Sequence, residues 1–223
     1  MGTESAGGWR DVSRPLREGI PVWPGDHPLA LHRRREDGLV ISWLETTCHV
    51  GTHVDAPLHV VEGGASVEEI PLQRFLGPVE VVDAASAGDR IRPRDLPTRW
   101  RPGAPRVFFR TGACPPGTAV FPGRFPGLDV ELVELLARSG VVLVGLDTPS
   151  VDPPDDPELQ AHLALAREGI TWIEGLDLAG AGPGMWEMVG LPLPLAGAEA
   201  APVRVLVRPL EDLATRPGET AGR

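Results

Sequence analysis

Residues 49–59 read HVGTHVDAPLH, which puts His49, His53, Asp55 and His59 at offsets 0, 4, 6 and 10. The chain has six histidines in all, and half of them fall in these eleven residues. Neutral imidazoles beside a carboxylate suit Zn2+, Mn2+ or Fe2+, whereas Ca2+ takes oxygen ligands. A carboxylate can also bridge two cations, which an imidazole does not normally do. Ligands of one ion lie about 3–4 Å apart, yet an extended chain would hold His49 and His59 roughly 33 Å apart. The segment must therefore bend. His53 and Asp55, two residues apart, share one face of a strand, while His49 and His53 have the spacing of a helical turn. Gly51 permits an unusual backbone angle, Pro57 redirects the chain, and Gly51, Thr52, Val54 and Pro57 together oppose a continuous helix. The expectation is a curled strand or loop that gathers the four side chains. Cys48 adjoins His49, but an extended backbone turns it to the opposite face, toward core packing.

Elements that position this segment can be read from pattern. Strands are expected at 41–50, 78–84, 106–111, 141–147, 170–176 and 203–210, runs rich in Val and Ile and bounded by Gly or Pro. A helix is expected over 129–139, with Asp129 as N-cap, an apolar stripe at Leu132, Leu135 and Leu136, and Gly140 after its end. A second is expected over 157–168, with Asp156 as N-cap, Pro157 in the first turn and Gly169 beyond the end. Strand 141–147, helix 157–168 and strand 170–176 alternate as a βαβ unit, and the first half of the chain is richer in strands with hairpin-like spacing. The fold class is α/β: one domain over 1–223 with a mixed, hairpin-rich sheet and a few helices, frayed at 1–8 and 214–223.

Composition bounds the function. The chain has 223 residues, 42% of them hydrophobic, and a formal charge of -10. That acidity gives no general affinity for nucleic acid or an anionic membrane. The basic run Arg33, Arg34, Arg35 reads as a solvated strand edge. There is no tyrosine to act as catalyst or ligand. Two cysteines, Cys48 and Cys114, form no disulfide framework and suit a reducing cytoplasm. No apolar run approaches a membrane span, and the first residues show no signal peptide.

The string H-x-G-T-H-x-D-x-P-x-H resembles the signature of the cyclase-like metal-dependent hydrolase family, and within it the kynurenine formamidase (arylformamidase) branch. Further blocks carry the likeness: IPVWPGD at 20–26, GLDTPSVDP at 145–153, AHLALAREGITWIEGLDL at 161–178 and GLPLPLAGAEAAPVRVLV at 190–207. The resemblance covers roughly residues 9–210. It implies a swivelling β/β/α type of fold and a dimer or larger assembly. It implies two divalent metal ions at two sites, with Zn2+ the expected metal for both and Mn2+ the alternative. His49 and His53 would hold the first, Asp55 would bridge, and His162 and Glu174 would complete the second, with Glu174 touching both. It makes His59 the proton donor and acceptor and Trp23 the substrate contact. Trp186, in G-M-W-E, stands where that branch often has Tyr, and with Trp23 it would supply a flat wall for an aromatic ring. The implied reaction is hydrolysis of N-formyl-L-kynurenine, a small aromatic amide. The alternatives are opening of isatin or another cyclic amide, and a non-catalytic metal-binding protein. Six candidate groups for two metals leave open positions, which favours catalysis over a structural site.

Overall fold

The computed structural model describes residues 7–115 and 117–210. In chain order the elements are β1 (Arg10–Asp11), β2 (Ala30–Glu36), β3 (Leu39–Glu45), β4 (His53–Asp55), β5 (Leu76–Asp83), β6 (Arg90–Ile91), β7 (Arg106–Arg110) and β8 (Gly127–Leu128). There follow α1 (Val130–Arg138), β9 (Leu143–Leu146), α2 (Gln160–Glu168), β10 (Thr171–Glu174), β11 (Gly184–Pro192) and β12 (Ala200–Pro209). Eight strands make one mixed sheet in the order β1-β12-β11-β5-β7-β9-β10-β4, and β4 pairs with β12 as well, so the sheet closes on itself. One edge of β12 serves two partners: Ala200–Pro202 pair with β4, and Leu206 and Val207 pair with β1. β5, β7, β9 and β10 run parallel, and β9–α2–β10 is the expected βαβ unit.

Strand alternation divides the core in two. Val81, Phe108, Ile173 and Val205 fill the inside of the closed sheet. Val107, Phe109, Val144 and Trp172 point outward and pack against Leu132 and Leu136 of α1 and Ala161 and Leu165 of α2. The result is the expected α/β class, with a mixed sheet and two α-helices among the described residues. None of the described helices is long and apolar enough to cross a membrane.

α1 begins as its sequence dictates, since the Asp129 side chain accepts from the Glu131 N–H. α2 begins later than expected. Its first residue is Gln160, its N-cap is Leu159 in the left-handed region, and Asp156 instead accepts from the Glu158 and Gln160 N–H groups in the turn before it. Gly169 ends α2 at φ +66, as expected. The expected strand 41–50 stops at Glu45, so His49 and Cys48 stand in a turn. Cys48 is half-buried there and is not a core residue. β2 and β3 form a separate two-stranded sheet on which Arg33, Arg34 and Arg35 are exposed. β1, β6, β8 and β11 were not expected from the sequence. The fraying expected at 1–8 and 214–223 lies outside the described residues, apart from Gly7 and Gly8.

Candidate metal centre

β4 and β10 pair antiparallel with His53 opposite Glu174 and Asp55 opposite Trp172. Directly opposed residues share a face, as do residues two apart on one strand. His53, Asp55, Trp172 and Glu174 therefore all point one way, while Val54 and Ile173 between them enter the inner core. All four side chains on the site face are buried. His162, on the first turn of α2, comes down on them: its Nε2 lies 3.4 Å from Asp55 Oδ2 and 3.3 Å from Glu174 Oε1.

The turn before β4 supplies His49. Gly51 at φ +64 and Gly175 at φ +66 make this possible, because a Cβ on Gly175 would strike the Gly51 carbonyl oxygen. Thr52 Oγ1 donates to the Gly175 carbonyl at 2.6 Å and fixes the approach. His49 Nδ1 then lies 2.9 Å from Asp55 Oδ1. After β4 the chain turns through a 3-10 helix, Pro57–His59, which brings His59 back. The His59 ring centroid is 4.4 Å from that of His49 and 5.5 Å from that of His162. The bend expected at Gly51 and Pro57 is thus present, and the six residues His49, His53, Asp55, His59, His162 and Glu174 are all brought together.

Two groups of potential ligand atoms fall within 4.8 Å of one another: His49, Asp55 and His59 in one, His53, Asp55 and Glu174 in the other. Asp55 is common to both. Among the described residues, His53 Nε2 and Asp55 Oδ1 are buried, 3.3 Å apart, and make no hydrogen bond of acceptable geometry, although His49 Nδ1 lies 2.9 Å from Asp55 Oδ1. Each such orphaned atom costs about 1–3 kcal/mol, so a cation between them satisfies both. Imidazole and carboxylate are the donors a divalent transition metal takes, and the residues fit one.

The charges agree. Burial by itself would raise Asp55, but His53, His162 and His49 hold its carboxyl well below the ordinary value. Burial would lower His162, yet Asp152, Asp55 and Glu174 hold it well above its usual range. His59 is lowered by burial and by the neighbouring His49 and His162, which leaves it neutral near pH 7 and able to accept a proton. For His49 burial is outweighed by Asp55, Glu174 and Glu199, which raise it to about 9. A cation and a proton therefore compete for His49. Below pH 9 the imidazolium must release its proton on loading, so apparent metal affinity falls as pH falls. For each proton displaced, Zn2+ binding should weaken about tenfold per unit between pH 8 and pH 6. Chelator-competition titrations at three pH values measure this, and a flat profile would exclude His49 as a ligand.

Residues that sequence reasoning did not single out complete the centre. Asp152 accepts from the backbone N–H groups of Ala161 and His162 and from His162 Nδ1 at 2.7 Å. It thus takes up donors at the start of α2 and turns His162 Nε2 toward Asp55 and Glu174. Trp172 Nε1 donates to Asp55 Oδ2 at 3.0 Å. The Val151 N–H donates to Glu174 Oε1 at 2.7 Å. Such orienting partners are typically worth 10–100-fold in metal affinity. Asp152→Asn should lower the affinity by about that factor while the far-UV circular dichroism stays unchanged. An unaltered affinity would remove Asp152 from the centre. The nearest sequence signal was SVDP at 150–153, whose aspartate was read only as part of a family block.

Above the cluster lies an open cavity of about 600 Å3, lined by His49, Asp55, His59, His162 and Glu174 at its floor and by Trp23 and Phe121 on its wall. The Trp23 ring meets Phe121 edge-on at 5.2 Å and Phe125 at 6.5 Å. Trp186 does not join them. It packs into the inner core and donates to the Gly182 carbonyl, so the expected second wall is made by phenylalanine instead. Asp147 is structural: its carboxylate takes up the Thr111 and Gly112 N–H groups and holds the loop leading to Cys114.

Histidines and carboxylates that converge on one bridging aspartate, under an accessible cavity with an aromatic wall, define the class of hydrolytic metal centres. A family model described as "Putative cyclase" matches residues 10–153. The kynurenine formamidase of Salinibacter ruber is 39% identical over 207 residues, covering 91% of this chain and 98% of that protein. That of Bacillus cereus is 36% identical over the same length, with the same coverage. A solved structure described as a potential metal-dependent hydrolase with cyclase activity is 33% identical, with a TM-score of 0.77 over 89% of this chain and 96% of its own. Isatin hydrolase A from Labrenzia aggregata shares the fold, with a TM-score of 0.77 at 24% identity over 92% of this chain and 95% of its own. The chain belongs to the cyclase family of metal-dependent hydrolases.

Proposed function

We propose that the protein hydrolyses N-formyl-L-kynurenine to L-kynurenine and formate. His49, His53, Asp55, His162 and Glu174 hold two divalent cations, zinc before manganese, and His59 handles the proton. The observation that carries this is the shared Asp55 between two histidine groups on the floor of an aromatic-walled cavity; the kynurenine formamidase relatives supply the substrate. Cations bound there would polarise the formyl carbonyl and bring the ionisation of water near neutral pH. The protein's part is positional. Trp23 and Phe121 hold the aryl ring against the wall, which sets the formyl group over the floor. A nitrogen of the neutral His59 ring accepts a proton from the attacking water. As the bond between the formyl carbon and the aryl nitrogen breaks, His59 returns that proton to the nitrogen. An aryl amine leaves more readily than an alkyl amine, which suits a cluster with one shuttle.

The test is hydrolysis of N-formyl-L-kynurenine, followed by kynurenine absorbance, as isolated, after chelation and after metal is restored. Turnover that is lost and regained with zinc or manganese supports the proposal and ranks the metals. A metal-loaded protein that leaves this substrate intact and opens isatin or another cyclic amide overturns it.

The working unit is a homodimer in the cytoplasm. Support for the compartment comes from Cys48 and Cys114, which are both free. Support for a second copy comes from β2 and β3. A lone two-stranded sheet is marginal in water, and this one exposes Leu39, Val40, Ile41, Trp43 and Leu44. Trp43→Asp should convert the dimer to a monomer, as light scattering after size exclusion would read. A wild-type monomer at micromolar concentration would sink the idea.

A further inference from the structure

Besides the cluster carboxylates, five charged side chains line the cavity: Asp11, Arg14, Arg17, Asp26 and Asp177. Three are engaged within the protein. Asp11 accepts from the Ser13 N–H and pairs with Arg204. Arg14 spends its guanidinium on the carbonyls of Cys114, Asp147, Gly175 and Leu176. Asp177 accepts from the Ala179 N–H. Arg17 and Asp26 remain, one positive and one negative, and among the described residues neither side chain has a hydrogen bond or ion pair.

Their placement has a meaning. Both lie on the loop that carries Trp23, and the Asp26 N–H donates to the Trp23 carbonyl at 2.9 Å, which ties Asp26 to the aromatic wall. A ligand whose ring rests on Trp23 and Phe121 thus meets one free cation and one free anion at the cavity wall. We infer that Arg17 and Asp26 recognise the zwitterionic head of an aromatic α-amino acid. The Arg17 guanidinium takes the α-carboxylate, for which its planar fork is matched, and the Asp26 carboxylate takes the α-ammonium. The inference rests on the proposed reaction and narrows it, because isatin is a neutral ring system with no head group for this pair to hold. It also gives Asp26 a role in specificity.

The test uses zinc-loaded protein and calorimetric titration with three ligands that share the aminophenyl ketone. L-kynurenine has both charges, desaminokynurenine has the carboxylate alone, and 2-aminoacetophenone has neither. Wild type should bind L-kynurenine about a hundredfold more tightly than 2-aminoacetophenone, since each of the two charge-assisted contacts is worth about tenfold or more. Arg17→Met should weaken L-kynurenine and desaminokynurenine about tenfold. Asp26→Asn should weaken L-kynurenine alone. Equal wild-type affinity for the three ligands overturns the assignment, and so does a proportional loss for all three in both variants, which would mean that the loop had merely shifted. Hydrolysis of N-formyl-L-kynurenine is measured in parallel. Head-group preference without turnover sinks the reaction and keeps this site, whereas turnover without preference sinks the site and keeps the reaction.

Discussion

His59→Ala should lower kcat for N-formyl-L-kynurenine by about 10²–10⁴-fold, the range that a positioned proton-transfer group contributes. KM should change little, because the ring still meets Trp23 and Phe121. Metal content should stay close to wild type. The last point is decisive, for His59 lies within ligand distance of His49 and Asp55. It differs from the other histidines of the cluster in being the most accessible of them, only partly buried, and in having its pKa lowered, while His49, His53 and His162 are raised. A neutral, accessible imidazole over a buried, charged cluster is placed to exchange protons with a bound substrate. Elemental analysis beside the rate measurement separates the roles. Loss of metal together with activity would make His59 a ligand and leave the shuttle to another group.

Asp55→Asn should remove metal and activity at once. The Asp55 carboxylate is buried and is approached by His49, His53, His162 and the Trp172 indole. An amide keeps the shape but loses the charge that both groups of potential ligands share. Partners one shell further out are typically worth 10–100-fold in metal affinity, so loss of the bridge should exceed about 100-fold. Content should fall below one ion per chain at micromolar metal, and turnover should drop to background. The near-ultraviolet circular dichroism from buried Trp172 should persist if the fold survives. A variant that kept two ions per chain would show that Asp55 bridges nothing.

How much of this was legible in the sequence depended on how local the cause was. The eleven residues from His49 to His59 carry their own geometry. Gly51 supplies the positive φ, the two-residue spacing of His53 and Asp55 sets them on one strand face, and Pro57 opens the turn that returns His59. Donor chemistry follows from residue type alone, as does the Asp129 cap of α1. By contrast, β11 reads poorly as a strand, because its Gly184–Pro192 sequence holds Gly, Met and Pro. Its backbone is strand only because β5 and β12 hydrogen-bond it from both sides. Trp186 went to the core for the same reason, since alternation in β11 turns it inward.

Sequence by itself determined the types of donor group, the bend that gathers three histidines and an aspartate, and the α/β class, all of which rest on short-range backbone and side-chain preferences. Tertiary structure decided the rest. Glu174 stands opposite His53 only through the register of β10 on β4, over a hundred residues apart in the chain. His162 reaches Asp55 only because Asp152 holds the start of α2, and that carboxylate displaced Asp156 from the role its position suggested. Which charges remain free in the cavity is likewise a tertiary outcome, because Arg14 and Arg17 have the same chemistry and differ only in the carbonyls that the fold brings to one of them.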